Sequence, residues 1–379
     1  MRQYLRFLFL VGMLFGLAAA VSPAVAAACF WLDAVDGYVC REDTEPVELE
    51  QFGTPEPPED TLFGRRWYGR LADNANVYSQ PSQISAVVRN VGDGYLFATV
   101  NRWFDNDAGE TWYEINAGEY VQEGDIQLVE PADFQGVEIT RQPERPFGWV
   151  VQDVVPSHEP DGEPDESFAE LPRFTFVEIY DAVVGEDDWL WYDIGDGRWV
   201  RQIVDAARGP LAENWYDIGD GRWVRQTYFS IVDVNSRPEG VGEEEFWTEV
   251  DLYEQTFAAY EGDRMVYATL ISSGLNRWPT REGLFQVWDR WREYKMSGAE
   301  GQVDYYFLED IPYIMYFDEL MGIALHGTYW HDRFGYKHSH GCVNMPIKDA
   351  EWTFNWSAEA PNELWVWVHT SDPISHLSE

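Results

Sequence analysis

Short stretches of alternating apolar and polar residues dominate the chain, and long helical patterns are almost absent. Trp247–Tyr260 alternates, Glu261-Gly262-Asp263 reads as a turn, and Arg264–Ser273 alternates again. This predicts a hairpin, followed by Gly274 and a loop holding Pro279. Gly283–Trp288, Tyr313–Phe317, Ile323–His326 and Leu364–His369 are further strand candidates, and Lys348–Trp356 is the one fair helix. Upstream, Trp191–Gln202 reads WYDIGDGRWVRQ, and Trp215–Gln226 repeats those twelve residues 24 positions later. Trp112–Gln122, WYEINAGEYVQ, is a weaker copy. Alternation around Asp-Gly or Ala-Gly predicts a hairpin; two strands cannot bury a core alone, so each copy must pack on other strands.

Charge and composition narrow the picture. The 379 residues carry 26 Lys and Arg against 67 Asp and Glu, a net charge of −41. Nucleic acid is excluded as a partner, because phosphate binding needs clustered cations. With 45% hydrophobic and 16% aromatic residues, the chain has ample core material and is not disordered throughout. Residues 1–28 read as an export signal: Arg2 and Arg6, then apolar Phe7–Ala20, then Ala24-Val25-Ala26. A retained anchor, or lipidation of Cys29, are the other readings of this segment. In an exported protein Cys29 and Cys40 can form a disulfide, which leaves Cys342 unpaired, as an inert buried thiol or as a nucleophile. Residues 41–61 and 157–167 are acidic and Pro-containing, and read as linkers.

Six of the seven histidines lie at or beyond His326, and four of them, His326, His331, His338 and His340, crowd just before Cys342. A thiol needs a base to react near neutral pH, and imidazole titrates there. Gly341 lets a carbonyl approach the backbone, with successive N–H groups as an oxyanion hole. From Ser236 onwards the chain has 10 Lys and Arg against 25 Asp and Glu, yet His326–Lys348 holds Arg333, Lys337 and Lys348 against Asp332 alone. A basic patch in so acidic a chain attracts carboxylates.

His326, a long loop and Ser339-His340-Gly341-Cys342-Val343 together resemble the signature of the L,D-transpeptidases (YkuD-like family). The likeness spans about 240–370 and takes in Thr280–Phe285, with Arg281 where the family usually has Pro and Asn344 where many members have Arg. It implies a mainly β fold, with a β-sandwich catalytic domain that has one short helix. It also implies Cys342 as nucleophile, His326 as base and Gly327 as its orienter through the carbonyl. Ser339, His340, Gly341 and Asn344 would shape the site, with the Gly341 and Cys342 amides holding the oxyanion. The implied activity is cross-linking of peptidoglycan tetrapeptide stems through a cysteinyl thioester, serving cell-wall organisation and cell shape. No metal or other cofactor is implied, and carbapenem-type β-lactams are implied as covalent inhibitors.

Arg333, Lys337, Tyr305 and Tyr306 are candidate substrate contacts, and the aromatic-rich stretch between Phe285 and Phe317 is a candidate lid, mobile around Met296–Gly301. The copy at Trp112–Gln122, with Asn76–Pro81 before it, resembles bacterial SH3-like small β-barrels over about 68–130, and less closely over 172–235. Such modules would bind the cell wall. The expected order is a signal peptide (1–28), an acidic Pro-rich segment (29–61), an SH3-like module (62–150) and an acidic linker (151–170). A second SH3-like module with a duplicated hairpin (171–235) and the catalytic domain (236–379) follow. Three rivals stay open: an L,D-carboxypeptidase with water as acceptor, a non-catalytic wall-binding protein, and a zinc site built from His338, His340 and Cys342 with His326 or His331.

Overall fold

The computed structural model describes residues 51–371, except 57–60, 160–162, 185–188, 197, 204–215, 218–222, 225–228 and 303. The export signal, Cys29, Cys40, most of the 29–61 segment, His376 and much of the second twelve-residue copy lie outside the described residues. Two compact units are present. In the smaller, Gln51 Nε2 donates to the Gln142 carbonyl at 3.0 Å. The larger contains the remaining described residues and every feature below. The chain is mainly β, with one α-helix of 10 residues among the described residues. No described helix is long and apolar enough to cross a membrane.

The larger unit begins with eight short strands: β1 (Trp67–Leu71), β2 (Asn76–Tyr78), β3 (Val87–Asn90), β4 (Tyr95–Val100), β5 (Arg102–Asp105), β6 (Thr111–Asn116), β7 (Glu119–Gln122) and β8 (Ile126–Val129). β3-β2-β7-β6-β5 form one sheet, and β4-β1-β8 are neighbours in a second. Leu71, Val77, Leu96, Ala98, Val100, Ile115, Val121 and Ile126 form a small core between them. Successive side chains on a strand point to opposite faces. On β4, Leu96, Ala98 and Val100 fill this core, while Tyr95, Phe97 and Thr99 face the other way. On β1, Leu71 faces the core, while Tyr68 and Arg70 face outward. Both strands are walls shared with the next layer.

That layer is a sandwich. Strands β9 (Val137–Ile139), β10 (Phe147–Val150), β11 (Phe176–Glu178), β12 (Phe229–Val232), β13 (Phe246–Asp251), β14 (Thr256–Glu261), β15 (Arg264–Leu270), β16 (Gly283–Gln286), β17 (Asp289–Gly298), β18 (Tyr306–Asp318), β19 (Ile323–Gly327) and β20 (Val343–Met345) precede helix α1 (Ile347–Trp356) and β21 (Trp365–His369). One sheet runs β9-β15-β14-β13-β21-β16; the other runs β20-β19-β18-β4-β1-β8, with β17 paired to β18. Val250, Phe257, Tyr267, Ile314, Leu325, Val343 and Val366 meet in the core between them. These N-terminal strands are thus no separate bead: β4 pairs in parallel with β18, Phe97 opposite Leu308. Tyr68 stacks on Tyr329 with ring centroids 3.7 Å apart. Phe147–Val150, expected at the end of the first module, pairs instead with β11 and β12 from the second region.

Two sequence expectations need correction. Trp247–Tyr260 is not one strand but two, broken at Leu252–Gln255. Asp251 Oδ1 accepts the amides of Tyr253 (2.8 Å) and Glu254 (3.2 Å), and Gln255 takes φ +58°, so a side chain makes this turn without Gly or Pro. The candidate lid stretch forms a long ribbon, β17 against β18, from Asp289↔Tyr316 to Gly298↔Tyr306, and the loop expected around Met296–Gly301 is shorter than the sequence suggested. Met296–Gly298 belong to β17, and the reversal is a turn with Ala299 at φ +55° and Gly301 at φ +76°. Trp191–Gln202 does form a hairpin, closed by Asp193↔Trp199.

Candidate active site

β19 and β20 run parallel with His326 opposite Asn344. Cys342 lies just before β20, two residues ahead of Asn344. All three line one cavity of about 650 Å³. Cys342 is reached by solvent but crowded by protein atoms, and this burial pushes its thiol up to about 11, against a smaller opposing effect of the Ala324 backbone. His326 is 2% exposed, and burial pulls its imidazole down to about 4. Its Nδ1 is 3.1 Å from the Gly327 carbonyl. An Nδ1–H donated there leaves Nε2 bare as the basic nitrogen. A side chain at Gly327 would stand 2.8 Å from Pro312, so only glycine fits.

The loop carrying Cys342 is bolted from below. Gly341 has φ +122°, a backbone that L side chains rarely adopt. Thr280 Oγ1 accepts the Gly274 amide at 2.9 Å and donates to the Gly341 carbonyl at 2.7 Å. Any Cβ on Gly274 would collide with the Trp278 carbonyl at 2.1 Å. The amides of His338 and Ser339 both donate to the Ser273 carbonyl, and Ser273 is held in turn by Gln255. Ser339 Oγ donates to the Cys342 carbonyl and accepts the Gly341 amide at 3.0 Å. This corrects the expectation of two oxyanion amides, because the Gly341 N–H is already engaged.

The remaining histidines have distinct surroundings. His340 lies against Trp278 (3.9 Å between centroids) and Tyr306 (4.9 Å). His338 packs edge-on to His331 at 4.5 Å. Burial depresses all three, most strongly His331, so the cavity wall is lined by neutral imidazoles. The Arg333 amide donates to His331 Nδ1 at 3.0 Å, so the proton of neutral His331 sits on Nε2. Nε2 is 2.8 Å from the Asn344 side-chain amide, which must therefore present its oxygen there. His331 and His338 line the same cavity as Cys342. His338, His340 and Cys342 diverge into different surroundings, and no group of three His, Cys, Asp or Glu among the described residues is placed to hold a metal.

Tyr305, Tyr306 and Arg333 line the cavity, and Lys337 does not. Burial raises the Tyr306 phenol to about 12. Sequence reasoning missed Leu275, Arg277, Trp330, Arg70 and Tyr95 in the wall, and reached Met296 only as part of the candidate lid. Arg70 and Tyr95 come from β1 and β4, 256 and 231 residues before His326.

Residues 245–370 match the family model of the L,D-transpeptidase catalytic domain, YkuD. No curated protein matches the chain. Among solved structures, an Enterococcus faecium L,D-transpeptidase mutant is 27% identical, over 33% of this chain and 50% of that one, with a TM-score of 0.30. L,D-transpeptidase 3 from Mycobacterium tuberculosis, in complex with a faropenem-derived adduct, is 20% identical over 33% and 60%, with a TM-score of 0.30. An L,D-transpeptidase from Mycobacterium smegmatis is 17% identical over 52% and 100%, with a TM-score of 0.31. The chain thus spans half to three-fifths of the first two.

Proposed function

We propose that the protein is a peptidoglycan L,D-transpeptidase working through a thioester on Cys342. One observation carries the reading: His326 on β19 and Cys342, in the loop that leads into the neighbouring parallel strand β20, line one cavity, inside the stretch that matches the family model.

In the resting protein, a thiol near 11 and an imidazole near 4 are both neutral. Proton transfer then accompanies attack rather than preceding it. Sγ adds to the carbonyl of the L-centre to D-Ala bond while its proton passes to His326 Nε2. The oxyanion falls to the amide of Cys342, since that of Gly341 is engaged. On collapse the C–N bond breaks, and the imidazolium gives its proton to the departing D-Ala amine. A side-chain amine of a second stem attacks the thioester, loses its proton to His326, and Sγ leaves. Residues 1–28 support an extracytoplasmic setting. A carboxypeptidase would differ only in using water for the second attack.

Intact-protein mass spectrometry with and without meropenem tests the nucleophile: wild type should gain one adduct and Cys342→Ala none. Stem tetrapeptide with an amine acceptor should give a cross-linked dimer. Trimmed monomer alone would replace the transpeptidase reading with the carboxypeptidase one. No adduct on folded, reduced wild type would refute both.

A further inference from the structure

The cavity is lined by three arginines and two aspartates. Arg277 pairs with Asp304 at 3.4 Å, and Asp332 with Arg173 at 3.3 Å. Arg70 and Arg333 have no carboxylate partner among the described residues. In a chain with 67 acidic and 26 basic residues, two uncommitted guanidiniums on one cavity are a departure that needs a cause.

Arg70 is also a deliberately placed residue. β1 presents Tyr68 and Arg70 on the same face; Tyr68 is locked on Tyr329, which fixes where Arg70 emerges. The Arg70 guanidinium lies 5.3 Å from the centroid of the Tyr95 ring. The Tyr95 hydroxyl donates to the Trp330 carbonyl at 3.2 Å, tying this wall to the loop that carries His331 and Arg333. Arg70, Tyr95, Trp330 and Arg333 all line the same cavity.

We propose that Arg70, delivered by the N-terminal strands, and Arg333 form a carboxylate clamp, and that this clamp selects peptides bearing a free carboxylate. Guanidinium suits the task, because its planar fork matches a carboxylate and it stays charged at any working pH. Those strands are then part of the substrate site as well as a packing partner. The proposal rests on reading the ligand of the Cys342 cavity as a peptide stem.

The test uses the full chain with Cys342→Ala, so that bound peptide is not consumed. Calorimetric titration compares a tetrapeptide stem carrying free carboxylates with the same peptide amidated at every carboxylate. The parent should bind the free form at least roughly tenfold more tightly, as a charged hydrogen-bonded pair implies. Adding Arg70→Gln should erase most of that preference, while Arg70→Lys should keep part of it. With Cys342 restored, Arg70→Gln should raise KM for the free stem and leave kcat nearly unchanged. A parent without preference, a parent that binds neither peptide, or an Arg70→Gln variant that keeps the parental ratio would each overturn the clamp. A protein that shows the preference yet forms no acyl adduct would leave the clamp standing and remove the transpeptidase reading.

Discussion

Replacing Thr280 by valine tests how the nucleophile loop is held. Valine keeps the shape of threonine and removes only the hydroxyl. Thr280 is 4% exposed, so water cannot take the hydroxyl's place. Two backbone groups lose their partner: the Gly274 amide, now 2.9 Å from Oγ1, and the Gly341 carbonyl, now at 2.7 Å. Each buried, unpaired group costs about 1–3 kcal/mol, so the variant should lose roughly 2–6 kcal/mol. Against a typical folding stability of about 5–15 kcal/mol, that is a large fraction. Gly341 adjoins Cys342, so Sγ also loses its fixed position, and acylation should slow by roughly 10–100-fold. Urea unfolding followed by tryptophan fluorescence measures the first effect, and the rate of meropenem adduct formation the second. Thr280→Ser keeps the hydroxyl and should restore most of both. If Thr280→Val unfolds at the wild-type midpoint with an unchanged slope and acylates at the wild-type rate, the loop is not held from Thr280.

Iodoacetamide alkylation of Cys342 should accelerate steadily from pH 7 to 10, because a thiol near 11 gains thiolate across that range; a rate already level at pH 7 would mean a resting ion pair. His326 lies near 4 folded against an ordinary value of 6.5, so the unfolded chain binds the extra proton between these values. Stability from this residue is present above pH 6.5 and falls as pH drops toward 4, by about 3 kcal/mol; urea titrations at pH 7 and 4.5 should show it, and His326→Gln should flatten the slope. Tyr68→Ala should cost roughly 3–5 kcal/mol, since it empties the stack on Tyr329. Tyr68→Phe should be neutral or slightly stabilising, because the buried Tyr68 hydroxyl has no hydrogen-bond partner among the described residues; thermal melts of the two variants separate ring from hydroxyl.

The candidate cavity residues were readable because His326 and Ser339–Cys342 lie close in sequence and use residue types with few other joint purposes. Their supports were not. Gln255, Ser273 and Thr280 are ordinary polar residues whose work is done across chain separations that no local pattern reports. The turn at Leu252–Gln255 hid for a related reason: it is made by the Asp251 carboxylate, and its four residues include no Gly or Pro. The engagement of the Gly341 amide depends on where the Ser339 hydroxyl points, which is a rotamer. The shared wall did leave a trace. Tyr95–Val100 is apolar at nearly every position, where a one-sided strand would alternate, and such runs mark burial on both faces.

That wall bears on how the chain can be cut and recombined. The stretch that matches the family model begins at residue 245, but β4 pairs with β18 in its sheet and β1 extends that sheet beyond β4. Excision at that boundary would strip Phe97 and Tyr68 from Tyr329 and leave the inner edge of β18 unpaired. Unpaired edges recruit other chains. The inheritable unit is therefore larger than the recognisable one: an exchange of the N-terminal strands with those of another protein would have to carry β1 and β4 along, or bring replacements with the same two-faced pattern.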